Sequence, residues 1–172
     1  MGKPNEVKKP EAKKPEAKKP EAKKLEMKNN GKIDLLTESQ TPSAFLRNIR
    51  KTIATIERGI LKPEIAIATF RLCSECEVNE IKIFSDCIGA SIRDSDYFAR
   101  MSERGFWVVI HGNKQECELV IRRIRKNAGK KVCEVRTNIL MRMDGEKREV
   151  WVHRVDRDHF QNDRDRSNLG GQ

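Results

Sequence analysis

The chain has 172 residues, 36 Lys+Arg against 26 Asp+Glu, and a formal net charge of +10. One domain is the natural expectation at that length, and no apolar run approaches the ~20 residues that a bilayer-spanning helix needs. The five cysteines are odd in number and follow no apolar leader, so they read as reduced, partly buried thiols of a cytoplasmic protein, not as a disulfide framework.

Charge is unevenly spread. Residues 1–32 hold 11 Lys and 5 Glu, a net of +6, and the other 140 residues carry 25 basic and 21 acidic side chains, a net of +4. The unit Lys-Lys-Pro-Glu-Ala occurs at 8–12, 13–17 and 18–22 and decays to KKLEM. Proline at every fifth place prevents a continuous helix, and so little apolar surface cannot offset the entropy of ordering. Residues 1–32 therefore read as a disordered, low-complexity basic arm. Two roles are open to it: a cationic contact to nucleic acid or an anionic surface, or a solvated spacer. The interleaved Glu residues dilute the positive charge and favour the spacer. Any nucleic-acid reading rests mostly on this arm.

Asp34 to Thr37 is a short entry segment, and Ser39 to Ser43 a loop. A helix is predicted from Pro42 to Arg58, capped by Thr41 or Ser43, with Phe45, Ile49, Ile53 and Ile56 on one face and Gly59 as its stop. Pro63 to Leu72 follows as a core strand whose two faces are both apolar or small. Ser74 is placed to cap a second helix running to about Asp94, with a stripe of Val78, Ile81, Phe84, Ile88 and Ile92. Tyr97–Met101 and Phe106–Ile110 are two extended runs joined by polar turn formers and Gly105, a hairpin signal. The second run is apolar without a break, which suits a central strand, and Arg100 in the first suits a position nearer an edge. A third helix spans Lys114 to Asn127 and ends at Gly129. Val132–Met143 reads as a strand, Asp144-Gly145 as a turn, Arg148–Val155 as a last strand, and 156–172 as a flexible polar tail. The folded part is thus 33–155. Its βαββαβ order gives an α+β fold of ferredoxin-like type, an antiparallel-rich sheet with helices on one face. That architecture hosts many functions and decides none.

Three collinear segments resemble the GGDEF domain, the module of diguanylate cyclases. Arg93-x-x-Asp96, Ala99-Arg100 and Phe106 match the centre of that family, where a hairpin carries Gly-Gly-Asp-Glu-Phe. Asp34-Leu35-Leu36-Thr37 followed by Phe45 resembles its Asp-x-Leu-Thr entry, and Ile65 to Arg71 resembles its first strand. The resemblance covers about residues 34–140. Departures fall on the catalytic positions. Ser102, Glu103, Arg104 and Gly105 replace the two glycines and the acidic pair, and Ala66 and Ala68 stand where the first strand carries Asp. The second helical region is about five residues short of the family pattern. The family's last helix is expected to be missing, with Val150-Trp151-Val152-His153 in its place. Cyclisation is phosphoryl transfer that needs carboxylate-held divalent cations and a close, Gly-lined approach to the nucleotide. These residues supply neither, so a degenerate, non-enzymatic domain without metal or cofactor is expected.

The resemblance also implies a second site. In the family, Arg-x-x-Asp ahead of the hairpin is a product site that binds cyclic di-GMP, often with an arginine of the next helix. Here those residues are Arg93, Asp96 and Arg123. A guanidinium can fork onto guanine N7/O6 or a phosphate, and a carboxylate can accept from the guanine N1/N2 edge. A purely structural alternative stays open, in which Arg93 and Asp96 cap the second helix and pair with each other.

Other residues were weighed against simpler roles. Cys73-x-x-Cys76 has zinc-like spacing, but no second Cys pair exists and His111, His153 and His159 lie far along the chain, so two small residues at a strand-to-helix junction is the simpler account. His111 ends a buried strand without a visible nucleophile. Trp107 reads as core, while Trp151 could stack or pack. Arg122 to Lys126 with Lys130-Lys131 suits a helix C-terminus or a phosphate-facing patch. The expected function is a non-catalytic signalling module that senses cyclic di-GMP and contacts a protein partner. The alternative is a ligand-free protein-interaction or nucleic-acid-binding module using the arm and the third helix.

Overall fold

The structure, a computed structural model, describes residues 31–167. The expected basic arm, up to residue 30, and the last five residues of the expected polar tail lie outside the described residues.

Helix α1 (Pro42–Glu57) starts where predicted. Thr41 Oγ1 accepts from Ala44 N–H at 3.4 Å, and Pro42 sits where no N–H is required. Strand β1 (Ile65–Leu72) follows, then α2 (Val78–Gly89), β2 (Tyr97–Arg100), β3 (Gly105–His111), α3 (Lys114–Ala128), a single 3₁₀ turn, β4 (Val135–Met141) and α4 (Arg148–Ser167). The strands form one antiparallel sheet in the order β2-β3-β1-β4, with Ala68 opposite Val108 on one side and Ile139 on the other. This is the predicted βαββαβ arrangement. The two unbroken apolar runs are its central strands β1 and β3, and β2 is an edge.

Helices cover both faces of the sheet, not one. On the first face α2 and α3 pack Phe84, Ile88, Val120 and Ile124 against Ala66, Ala68, Phe70 and Val108. Phe84 stands edge-on between Phe70 and Phe106, with centroids 5.6 Å from each. On the second face α1 and α4 pack Phe45, Ile49, Trp151 and Val155 against Ile65, Ile67, Trp107 and Val109.

The second layer corrects the expected last strand. Arg148–Val155 and residues 156–167 are one helix, so the boundary at 155 falls inside it and the described residues do end on a helix where none was expected. The alternating Val150-Trp151-Val152 suggested a strand, but Trp151, Val155 and His159 recur at four-residue spacing and all three are buried. Burial of that face overrides the β preference of the residues themselves. Trp151 is core, and its Nε1–H donates to Leu140 O at 3.1 Å.

α2 is also shorter than predicted at both ends. Its N-cap is Glu77, not Ser74, and Glu77 and Glu80 form a capping box in which Glu80 Oε2 accepts from Glu77 N–H at 2.9 Å. The helix stops at Gly89, so Ile92 to Asp96 is a loop.

Ser39 and Gln40 lie against the outer side of β2. Gln40 N–H donates to Phe98 O at 3.3 Å, and Ser39 Oγ accepts from Arg100 N–H at 3.3 Å. On the opposite side of the sheet, Arg125 donates to Val135 O at 3.1 Å and Arg154 to Met141 O at 2.8 Å.

Candidate functional site

The loop between α2 and β2 is held from three directions. Ser91 Oγ donates to Cys87 O at 2.6 Å and accepts from Asn127 Nδ2 at 2.8 Å, which docks the loop on α3. Asp96 closes the turn: its N–H donates to Arg93 O at 3.0 Å, and its Oδ2 accepts from Arg93 N–H at 3.2 Å. Asp96 Oδ1 accepts from the His111 N–H at 3.0 Å and lies 3.4 Å from His111 Nδ1. Burial pushes the Asp96 carboxyl up, but the hydrogen bonds from the His111 ring, the His111 backbone and the Arg93 backbone outweigh it and hold the group below its ordinary value.

The Asp96 side chain is fully buried. Its oxygens are committed to the protein, which leaves no open carboxylate for a guanine edge. Of the structural alternative, the link between Arg93 and Asp96 holds, but through the Arg93 backbone and not the guanidinium. It also sits in the loop past α2, not on the helix end. The Arg93 side chain is exposed and makes no hydrogen bond or salt bridge among the described residues. Its charge is felt by Cys117, whose thiol is pushed up to about 11, chiefly by burial and then by Asp96 and Glu116. Arg123 lies on α3 between Cys117 and Asn127, one turn before Asn127, and is likewise exposed and unpaired. The Asn127–Ser91 hydrogen bond thus holds the loop that carries Arg93 against the helix that carries Arg123.

The hairpin tip is a different environment. Arg100 is fully buried, and its Nε and Nη2 both donate to Glu103 O, at 3.2 and 3.1 Å. Glu103 is not without a partner, as its carboxylate lies 3.9 Å from Arg104 Nη1. Ser102 N–H donates to Gly105 O at 3.3 Å, and Phe106 is buried in the aromatic stack. A Cβ on Gly105 would clash with Ser102 Oγ and approach His159 Nε2 to 2.8 Å. Beside the tip is a cavity of about 480 Å³, walled by Arg71, Arg104 and Arg136 with Glu103 and Glu134. Ala66 and Ala68 do not line it. They are fully buried under α2 and α3.

One cluster was missed by sequence reasoning. The Cys76 and Cys133 sulfurs and a Glu80 carboxylate oxygen all lie within 4.8 Å of one another. Cys73 N–H donates to Cys133 Sγ at 3.2 Å. Burial, followed by the Cys133 thiol, pushes Cys76 up to about 12. The Cys-x-x-Cys spacing was the only signal in the chain. Cys133 comes to it through the packing of the segment before β4, which no local pattern announces.

Neither a protein-family model nor a curated protein sequence matches this chain. Solved structures do. The GGDEF domain of DgcB from Caulobacter crescentus, in complex with c-di-GMP, superposes with a TM-score of 0.64 at 15% identity, covering 81% of this chain and 91% of that one. A microbial GGDEF domain described in a novel interaction mode with bis-(3′,5′)-cyclic di-GMP gives 0.64 at 11% identity, covering 83% and 95%. The chain has a GGDEF-type fold. A third neighbour is the diguanylate cyclase SiaD from Pseudomonas aeruginosa in complex with its activator SiaC, with a TM-score of 0.60 at 13% identity over 77% of this chain and 58% of that one. Among the described residues, no helix of this GGDEF-type chain is long and apolar enough to cross a membrane.

Proposed function

We propose that this chain is a non-catalytic, cytoplasmic GGDEF-type signalling module that binds cyclic di-GMP at Arg93 and Arg123 and passes the signal to a protein partner. The observation that carries the reading is that two exposed guanidinium groups, with no hydrogen-bond or salt-bridge partner among the described residues, stand on the loop and on the helix that the Asn127–Ser91 hydrogen bond holds together. Two such groups suit a ligand with two phosphates and two guanine edges. Asp96 is a positioning residue, fixing the Arg93 backbone and the end of β3. Two solved neighbours are described with cyclic di-GMP, and one with an activator protein.

Loss of catalysis follows from what stands at the cyclase positions. Phosphoryl transfer of this kind needs divalent cations on carboxylates. Ala66 and Ala68 present methyl groups to a packed core, Arg104 brings a positive charge to the hairpin tip, and Ser102 and Glu103 add side chains where glycine would allow close approach.

Calorimetric titration with cyclic di-GMP tests the proposal. Micromolar binding that is lost in Arg93→Ala and Arg123→Ala, with the melting temperature of both variants unchanged, is the expected result. No heat at ~100 μM ligand, well above a roughly micromolar constant, would refute it and leave a ligand-free interaction module.

A further inference from the structure

We propose that Cys76, Cys133 and Glu80, with Cys73 completing the set, form a binding site for a thiophilic divalent ion of the Zn²⁺ class. The proposal is independent of the cyclic di-GMP reading, and the residues share no position with the cyclase metal positions of the resemblance.

Geometry carries it. The donor atoms of Cys76, Glu80 and Cys133 lie within 4.8 Å of one another. A tetrahedral ion with Zn–S bonds of ~2.3 Å holds its sulfurs about 3.8 Å apart, so a contraction of about 1 Å or less seats it. Cys73 adjoins this set through its backbone, its N–H donating to Cys133 Sγ at 3.2 Å. A rotamer change is what would bring its thiol in as a fourth donor.

The surroundings fit a metal centre. Cys73 N–H donates to Cys133 Sγ at 3.2 Å, the kind of outer contact that orients a sulfur ligand and stabilises its thiolate. Glu80 is oriented by the capping box, with Oε2 on the Glu77 N–H. Glu80 and Cys133 are half-buried, and Cys133 also lines a cavity, so two of the donors are open to an ion from solvent. Thiolate donors select zinc-like ions over Mg²⁺ or Ca²⁺. Such an ion would tie the start of α2 to the approach to β4, and its binding releases thiol protons.

Cobalt titration of the full chain, reduced, stripped with chelator and dialysed, is the test. One equivalent of Co²⁺ should produce the intense thiolate-to-metal absorption and tetrahedral ligand-field bands. Zn²⁺ should displace them, and both should raise the melting temperature. Cys76→Ser and Cys133→Ser should lose the bands, while Cys87→Ser and Cys117→Ser keep them. Should the first two variants fail to fold, alkylation of the wild-type chain decides: Zn²⁺ should protect Cys73, Cys76 and Cys133 and leave Cys87 reactive. Absence of the bands in the wild-type chain overturns the proposal, as does their survival in Cys133→Ser. A thiol count showing a disulfide within the cluster of the metal-free chain overturns it as well.

Discussion

Arg100 and Asp34 meet with both side chains wholly buried, Nη1 lying 3.5 Å from Oδ2. Asp34 Oδ1 accepts from Leu36 N–H, Thr37 N–H and Thr37 Oγ1–H, and Arg100 holds the carbonyl of Glu103 with its other nitrogens. The pair thus joins the entry segment to the hairpin tip. Removing one member strands a buried charge. Asp34→Ala or Arg100→Ala should cost about 3–5 kcal/mol, whereas an apolar replacement of both, Asp34→Leu with Arg100→Met, should cost less than the two single changes combined. Urea unfolding of the three variants checks this.

Asp96 makes part of the stability acid-sensitive. In the folded chain its carboxyl is held below its ordinary value. The stabilisation of its ionised form is therefore fully present above that value and is lost as the pH falls through the lowered folded value. Asp96→Asn should cost about 1–3 kcal/mol near neutrality. The gap between wild type and variant should narrow only below about pH 4. A gap that is constant down to the acid limit of folding would contradict the assignment.

α4 is structural. Trp151→Ala should cost about 3–5 kcal/mol. Truncation after Val155 removes His159, whose ring stands edge-on to Trp107 at a centroid distance of 6.1 Å, and should lower the melting temperature. An unchanged melting temperature in the truncated chain would mean that the second half of the helix contributes nothing.

Asn113 caps α3, its Oδ1 accepting from Glu116 N–H at 3.0 Å while Glu116 Oε2 accepts from Asn113 N–H at 2.9 Å. Asn113→Ala should cost about 1 kcal/mol. α3 also carries Arg123, but well inside the helix and away from this cap, so the substitution should leave ligand affinity nearly unchanged, which a parallel titration reads.

Most elements were legible because period and punctuation agreed. Phe45, Ile49, Ile53 and Ile56 kept helical spacing between Pro42 and Gly59, and the unbroken runs of β1 and β3 marked the centre of the sheet. α4 was misread because its residues favour strand locally, while its buried face becomes visible only once Trp107 and Leu140 are in place to receive it. Of the candidate site, the sequence marked Arg93, Asp96 and Arg123 but not how they are held. The inward turn of Asp96 depends on His111, fifteen residues away on a neighbouring strand. Cys133 was invisible for the same reason, since nothing near it in sequence resembles a ligand set.

The residues that run beside β2, and the arginines that reach the carbonyls of β4, have a consequence for how this molecule can associate. A free strand margin is a template onto which another chain can add, the route to runaway polymerisation. Here Ser39 and Gln40 bond to one margin, and at the other Val135 O and Met141 O accept from Arg125 and Arg154. A partner adding a strand at either margin would have to displace these contacts, which favours recognition of side chains on the helical surfaces and selective over indiscriminate assembly.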